Sequence, residues 1–197
     1  MARGIIIFGS AGSGKTTLGK LVAEKLKYPY FDIDDYIWRK DTEKPFTVMY
    51  TREEKINRLM TDITKGINFV MAGSMDSFNA PFVPLFDLAI HITASIDIRI
   101  ARINKREFAI YGERIMEGGD MYEGHCHFLH DSSRYDTDGS PCMITHAQWA
   151  DSLPCKVLRL NGDEDLNKNV QIIVQEYLKQ DSQVENYLTL NGAGKHD

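Results

Sequence analysis

The stretch "GIIIFGSAGSGKTTLGKLVAEKL", residues 4–26, decides the architecture of this chain. It opens on "GIIIF", a β-branched apolar run that reads as a strand. It ends on a segment in which Leu18, Leu21, Val22 and Leu26 recur with helical period. Between them "GSAGSGKT" places Gly9, Gly14, Lys15 and Thr16 at the spacing G-x-x-x-x-G-K-[ST]. Strand, glycine-rich turn and helix in that order make a phosphate cradle. The glycines let backbone N–H groups turn inward, and the helix N-terminus adds partial positive charge. On this reading Gly9, Ser10, Ala11, Gly12, Ser13, Gly14, Lys15, Thr16 and Thr17 wrap the phosphates of ATP. Lys15 reaches the β- and γ-phosphates and the Thr16 hydroxyl ligates magnesium.

Working outward, "YFDI" (30–33), "NFVMA" (68–72), "LAIHIT" (88–93) and "KVLRL" (156–160) read as four further strands separated by helical or irregular segments. That alternation predicts an α/β protein with a parallel sheet and helices on both faces. Thr51 and Glu54 have capping-box spacing ahead of Ile56, Leu59, Met60 and Ile63, and Val170, Ile173, Val174 and Tyr177 mark a closing helix. One domain is expected over residues 1–180, followed by a tail over 181–197 that ends in the small, polar "LNGAGKHD". An acceptor-binding region is expected at about 35–65. The excursion at about 107–153 is longer than an ordinary connection and carries "EGGD" at 117–120, so it reads as a lid with a glycine hinge.

Asp32 and Asp34 follow the second strand two residues apart, which period two places on one side of the strand. The carboxyl ends of parallel strands face the ligand crevice, so both acids are expected beside the phosphate loop. Asp32 is assigned to magnesium and Asp34 to the acceptor hydroxyl, as base or orienter. Asp35 reads as the cap of a short helix. Because the third strand ends in Ala72 and Gly73 without an acid, the metal role falls on Asp32. Gly73 and Ser74 offer backbone approach and a hydroxyl to a substrate, and they also read as an ordinary tight turn. Asp87 stands at the far end of its strand. Arg99, Arg102 and Arg106 form a stripe at i, i+3 and i+7 with Arg114 beyond. Such a stripe is either solvated surface or, leading into a lid, a means of stabilising phosphoryl charge or stacking on a base. "NKRE" (104–107) lies inside that helical pattern and ends in Glu, which excludes a guanine-recognition loop. His125, Cys126, His127, His130 and Asp131, with His146 beyond, invite zinc, but their spacing matches no zinc pattern.

The 197 residues are 43% apolar and carry a net charge of −5, which suits a globular domain and provides no basic footprint for nucleic acid. No apolar run is long enough to span a bilayer, the N-terminus enters a strand at once, and three scattered cysteines fit a reducing compartment. A cytoplasmic protein without a membrane partner is expected.

"GSAGSGKT", "FDIDD", "VMAGS", the Arg-rich helix after "AIHITAS" and "VLRLNGDEDLNKNVQIIVQEYL" occur in the order found in the P-loop clan of nucleoside monophosphate kinases and shikimate kinases, which the chain resembles over about residues 3–180. The resemblance implies a three-layer fold with a five-stranded sheet of order 2-3-1-4-5, a substrate region after strand two and a lid after strand four. "FDID" resembles the F-x-D-x-D of shikimate kinases and implies the same roles for Asp32 and Asp34. Arg102 and Arg106 fall near the lid-base arginines of the clan, one of which packs on adenine, and Gly162 falls in its adenine-contacting loop. Arg39, Arg52 and Arg58 are candidate counterparts of the arginines that bind a monophosphate. The chain departs from shikimate kinases in having "AGSM" after strand three and a longer lid. Its longer phrases resemble a bacterial group labelled ATPase or kinase-like.

Three readings follow. The first is an ATP- and magnesium-dependent phosphotransferase acting on a small hydroxyl-bearing metabolite or nucleoside, with Lys15, Asp34, Arg102 and Arg106 catalytic and Asp34, Arg39, Arg58, Gly73 and Ser74 at the acceptor. The second is a nucleoside monophosphate kinase, and the third a nucleotide-binding ATPase or switch.

Overall fold

In β1 (Arg3–Phe8), Ile5, Ile6, Ile7 and Phe8 have no solvent exposure, so this strand must be flanked on both edges and covered on both faces. The computed structural model describes residues 2–192 and meets both demands. β1 pairs in parallel with β3 (Asn68–Ala72) on one edge and β4 (Phe86–Thr93) on the other. β2 (Tyr30–Asp32) adds outside β3 and β5 (Lys156–Asn161) outside β4, giving the all-parallel order β2-β3-β1-β4-β5.

Alternation along β1 builds two cores. Ile6 and Phe8 enter one with Phe69, Met71 and Ala89, while Ile5 and Ile7 enter the other with Val70, Leu88 and Ile90. The second core is closed by α1 (Lys15–Leu26) through Leu18 and Val22 and by α7 (Leu166–Gly192) through Val170, Ile173 and Tyr177. The first is closed by α3 (Arg52–Ile63) through Leu59 and Ile63, by the loop after β3 through Met75, Phe78 and Phe82, and by α6 (Met143–Ser152) through Ala150. The result is the three-layer α/β fold that the opening stretch and the strand pattern predict. α3 begins at the expected capping box: the Glu54 N–H donates to Thr51 Oγ1 (3.2 Å) and the Thr51 N–H donates to the Glu54 carboxylate (2.7 Å).

β2 stops at Asp32, one residue short of the expected strand. The Asp34 N–H donates to the Asp32 carboxylate (3.2 Å) and the Ile33 carbonyl accepts from the N–H groups of Tyr36 and Ile37, so the chain turns into the one-turn helix α2 (Asp34–Ile37). Asp32 and Asp34 therefore do not share a strand face, and a turn brings them together instead. Asp35 lies inside the first turn of α2 and pairs with Lys40 (2.8 Å), while Ile33 holds the cap position.

The excursion after β4 is helical. α4 (Ile96–Tyr111) runs past residue 107, α5 (Tyr122–Ser133) follows, and α6 and Leu153 are part of the first core. The backbone of α7 continues through the residues read as the start of the tail, and residues 193–197 lie outside the described residues. Among the described residues no helix is long and apolar enough to cross a membrane.

Candidate active site

Parallel strands send all their carboxyl ends to one edge, and the loops after β1 to β5 meet there. Arg3 and Asp87 form an ion pair at the opposite edge, where Asp87 was expected. The loop after β1 is held from inside. Gly12 has φ +76, and a Cβ there would lie 2.5 Å from the Arg99 carbonyl oxygen of α4, so only glycine allows this approach. Ser13 Oγ donates to the Ser10 carbonyl (2.9 Å), and Lys15 Nζ donates to the same oxygen (3.2 Å). The Ser10 hydroxyl is buried without a partner among the described residues, and α1 starts with neither a side-chain cap nor an acid in its first turn. An uncapped helix start, an orphaned hydroxyl and an ammonium suit the phosphates of a nucleotide. Ala11 lies in this loop, and Thr17 is exposed on the first turn of α1.

The Lys15 ammonium also reports its neighbours. Burial pushes its pKa down, Asp34 and Asp32 oppose that shift, and Arg106 adds to it. Lys15, Asp34, Asp32 and Arg106 therefore share one electrostatic field. Tyr30 joins Asp32 to the loop: its hydroxyl donates to the Asp32 carboxylate (3.3 Å) and is also within hydrogen-bond reach of Thr16. Burial, then the charge of Asp34, raises the Asp32 pKa. Thr16 and Asp32 are hard oxygen donors brought to one place, a set that fits magnesium.

The arginine stripe divides. Arg99 has no exposure: Nε donates to the Ala94 carbonyl (3.0 Å), Nη1 to the Ser132 carbonyl (2.9 Å) and Nη2 to the Asp136 carboxylate, with the Tyr135 ring 5.2 Å from its carbon. It ties α4 to the end of α5 and is neither solvated nor available to a ligand. Arg102 donates to the Gly12 carbonyl (3.4 Å) and the Gly162 carbonyl (3.0 Å), joining the phosphate loop to the loop after β5. Arg106 is half-exposed and faces the field of Lys15. Arg114 forms a bidentate pair with Asp120 (2.9 and 2.8 Å) across Gly118 and Gly119, and Lys44 donates to the Asp120 carbonyl (2.9 Å), linking the region before α3 to this turn.

Among the residues expected at the acceptor, Gly73 has φ +140 and a Cβ there would lie 2.4 Å from Ile33 Cβ. Its lack of a side chain is a requirement of packing at the β2–β3 junction. Ser74 is half-buried at the crevice edge, 3.2 Å from His146 Nε2. Arg39 and Arg58 both lie against Tyr50, with guanidinium carbons 5.1 and 4.3 Å from the ring centre. Neither hydrogen-bonds to Asp34 or Ser74. Arg52 donates to the Ser77 carbonyl (2.9 Å). The histidines disperse: His127 and His130 meet only Asp131 on the surface, His125 meets Glu107 (2.6 Å) and Asn104 (2.9 Å), and His146 lies in the interior. Among the described residues no group of three or more His, Cys, Asp or Glu side chains is placed to hold a metal ion.

Sequence reasoning passed over Tyr30, although period two already put it on the same strand face as Asp32. It also passed over the partners of His146. Tyr135 and His91 lie on separate elements far apart in the chain, and no spacing connects them.

The AAA-domain family model matches residues 5–116, more than half of the chain, and the chain belongs to that family. Fold, loop and relatives together define a small P-loop kinase. The protein YqaC of Bacillus subtilis (strain 168), described as uncharacterized, is 30% identical over 180 residues, covering 90% of this chain and 98% of YqaC. The cytidylate kinase of Archaeoglobus fulgidus is 34% identical over 113 residues, 52% of this chain and 61% of that protein. Among solved structures, a shikimate kinase from Bacteroides thetaiotaomicron shares the fold with a TM-score of 0.55 at 21% identity, over 90% of this chain and 98% of that one.

Proposed function

We propose that the protein transfers the terminal phosphoryl group of magnesium-ATP to a hydroxyl of a small metabolite or nucleoside. The observation that carries this reading is the convergence of Lys15, Asp34 and Asp32 at the mouth of the phosphate loop. Magnesium-ATP supplies the phosphoryl group and most of the neutralising charge when bound. Lys15 holds the phosphate oxygens, and Thr16 and Asp32 hold the metal directly or through its water. Asp34 accepts or orients the acceptor's hydroxyl proton, and Arg106 offsets charge that develops on the transferring group. Arg102 with Gly162 forms the base side of the nucleotide site, and Gly73, Ser74, Arg39 and Arg58 border the acceptor. The segment around Gly118 and Gly119 excludes water once both ligands are in place.

A nucleoside monophosphate acceptor is the second reading, and the pair of guanidinium groups at Tyr50 favours it. Magnesium-ATP consumption screened over nucleosides, nucleoside monophosphates, sugars and polyol acids, with the stimulated compound confirmed by its mass shift, separates the readings. In the first, Asp34→Asn lowers kcat about 100-fold or more, the range of a lost general base. In the second it leaves most activity, and Arg39→Ala and Arg58→Ala raise the acceptor KM. Phosphate release alone with every compound would replace both by an ATPase or switch.

A further inference from the structure

A buried polar chain leads from the middle of the sheet to the crevice, and the transfer chemistry does not use it. His91 on β4 lies 3.2 Å (Nε2) from the Tyr135 hydroxyl, which lies 3.0 Å from His146 Nδ1, while His146 Nε2 lies 3.2 Å from Ser74 Oγ. His91, Tyr135 and His146 are all buried. Aromatic packing fixes the rings: Phe8 stacks on His91 at 5.1 Å and meets His146 edge-on at 5.6 Å. Arg99 lies against Tyr135.

The direction of the hydrogen bonds follows from the chemistry of the ends. His146 Nε2 is also 3.5 Å from an Asp76 carboxylate oxygen, and a carboxylate only accepts, so the imidazole proton belongs on Nε2. With the proton placed on Nε2, Nδ1 serves as the acceptor and the Tyr135 hydroxyl donates there. His91 must in turn donate from Nε2 to the Tyr135 oxygen. Burial first, then His146 and Arg159, lower the His91 pKa to about 4, so it stays neutral and has a single N–H to give. At the crevice end the one Nε2–H of His146 is directed at Ser74 Oγ (3.2 Å), the nearer acceptor, with the Asp76 carboxylate (3.5 Å) sharing it. No other described residue takes the Ser74 hydroxyl proton.

We propose that Tyr135 and His146 are positioning residues: by donating into Ser74 Oγ through His146 Nε2, they commit the Ser74 hydroxyl to donate to an oxygen of the acceptor. The inference rests on the reading of Ser74 as part of the acceptor site. It makes the acceptor a compound with a hydroxyl, carbonyl or carboxylate oxygen at that point, and it disfavours an analogue that presents an N–H there.

Two measurements on the full chain test this. Imidazole nitrogen NMR should find the proton on Nε2 of both His146 and His91, and Tyr135→Phe should move the His146 Nδ1 resonance, which loses its donor while Asp76 keeps the proton on Nε2. Steady-state kinetics with the acceptor found in the screen should show Tyr135→Phe raising the acceptor KM about threefold to tenfold, the range for one hydrogen bond, with little change in kcat. In the Ser74→Ala background the same change should add nothing, because its effect travels through that hydroxyl. His146→Gln, which keeps an amide donor near the Nε2 position, should stay closer to the parent than His146→Asn, whose amide reaches only the Nδ1 position. This pair decides the matter if Tyr135→Phe does not fold. Additive losses in the double variant, or a His146 proton on Nδ1, overturn the proposal. If no acceptor stimulates the unaltered protein, the transferase reading has failed and the acceptor role of Ser74 falls with it. The tautomers and the response of the His146 Nδ1 resonance to Tyr135→Phe still decide whether the chain imposes a donor on Ser74.

Discussion

Lys15 shows how one side chain is held ready. Its ammonium rests on the Ser10 carbonyl at 3.2 Å, burial opposes its charge, and Asp34 and Asp32 sustain it. A ligand bringing several phosphate oxygens improves on every one of these contacts, since hydrogen bonds to charged groups are among the stronger ones. Lys15→Ala should therefore weaken ATP binding at least about tenfold by titration calorimetry while the protein keeps its circular dichroism spectrum. Undiminished binding would contradict the role given to the loop. The three arginines on α4 carry the complementary lesson. Their spacing is helical and their chemistry identical, yet Arg99 is consumed by the interior, Arg102 by two carbonyls, and only Arg106 faces the charges around Lys15.

At the scale of elements, the crevice is shaped by how closely strand ends and helix starts approach. The turn from β2 into α2 depends on Asp32 accepting from the Asp34 N–H, and the end of β3 depends on Gly73 leaving room for Ile33. A methyl group at residue 73 meets the Ile33 side chain at 2.4 Å in a backbone conformation that disfavours side chains. Gly73→Ala should destabilise the fold by about 1–3 kcal/mol, the usual cost of overpacking, read as a lower urea midpoint with an unchanged slope. Because Ile33 lies between Asp32 and Asp34, the same change should disturb the acid pair. Much at this scale was legible: the strand cores, the phosphate-loop helix, the α3 capping box and the apolar stripe of α7 all follow from period and cap chemistry. The position of Asp34 was not, because local hydrogen bonds to the Asp32 carboxylate and the Ile33 carbonyl turn the chain into α2 one residue before the expected strand end.

The whole molecule places a neutral histidine in its core. His91 would take up a proton near pH 6.5 once unfolded but only near pH 4 when folded. Between those values the unfolded state binds more protons, so stability rises with pH across the window and is lost as the pH falls through it. Urea midpoints measured from pH 4.5 to 7 should climb in that direction, and His91→Gln should flatten the climb. An equal slope in that variant would assign the acid sensitivity to other groups.

What the sequence by itself determined is local and periodic. The apolar run before the glycine loop required a central strand, the loop predicted a phosphate site, and the alternation of strands and helices required a parallel sheet whose carboxyl ends meet in one crevice. Tertiary structure alone decided which polar side chains reach that crevice. Residue type and spacing set what Arg99, Ser74, Tyr135 and His146 are able to bond, but burial and the approach of distant elements select the partner. Those quantities depend on the packed chain, in which residues 74, 91, 135 and 146 become neighbours.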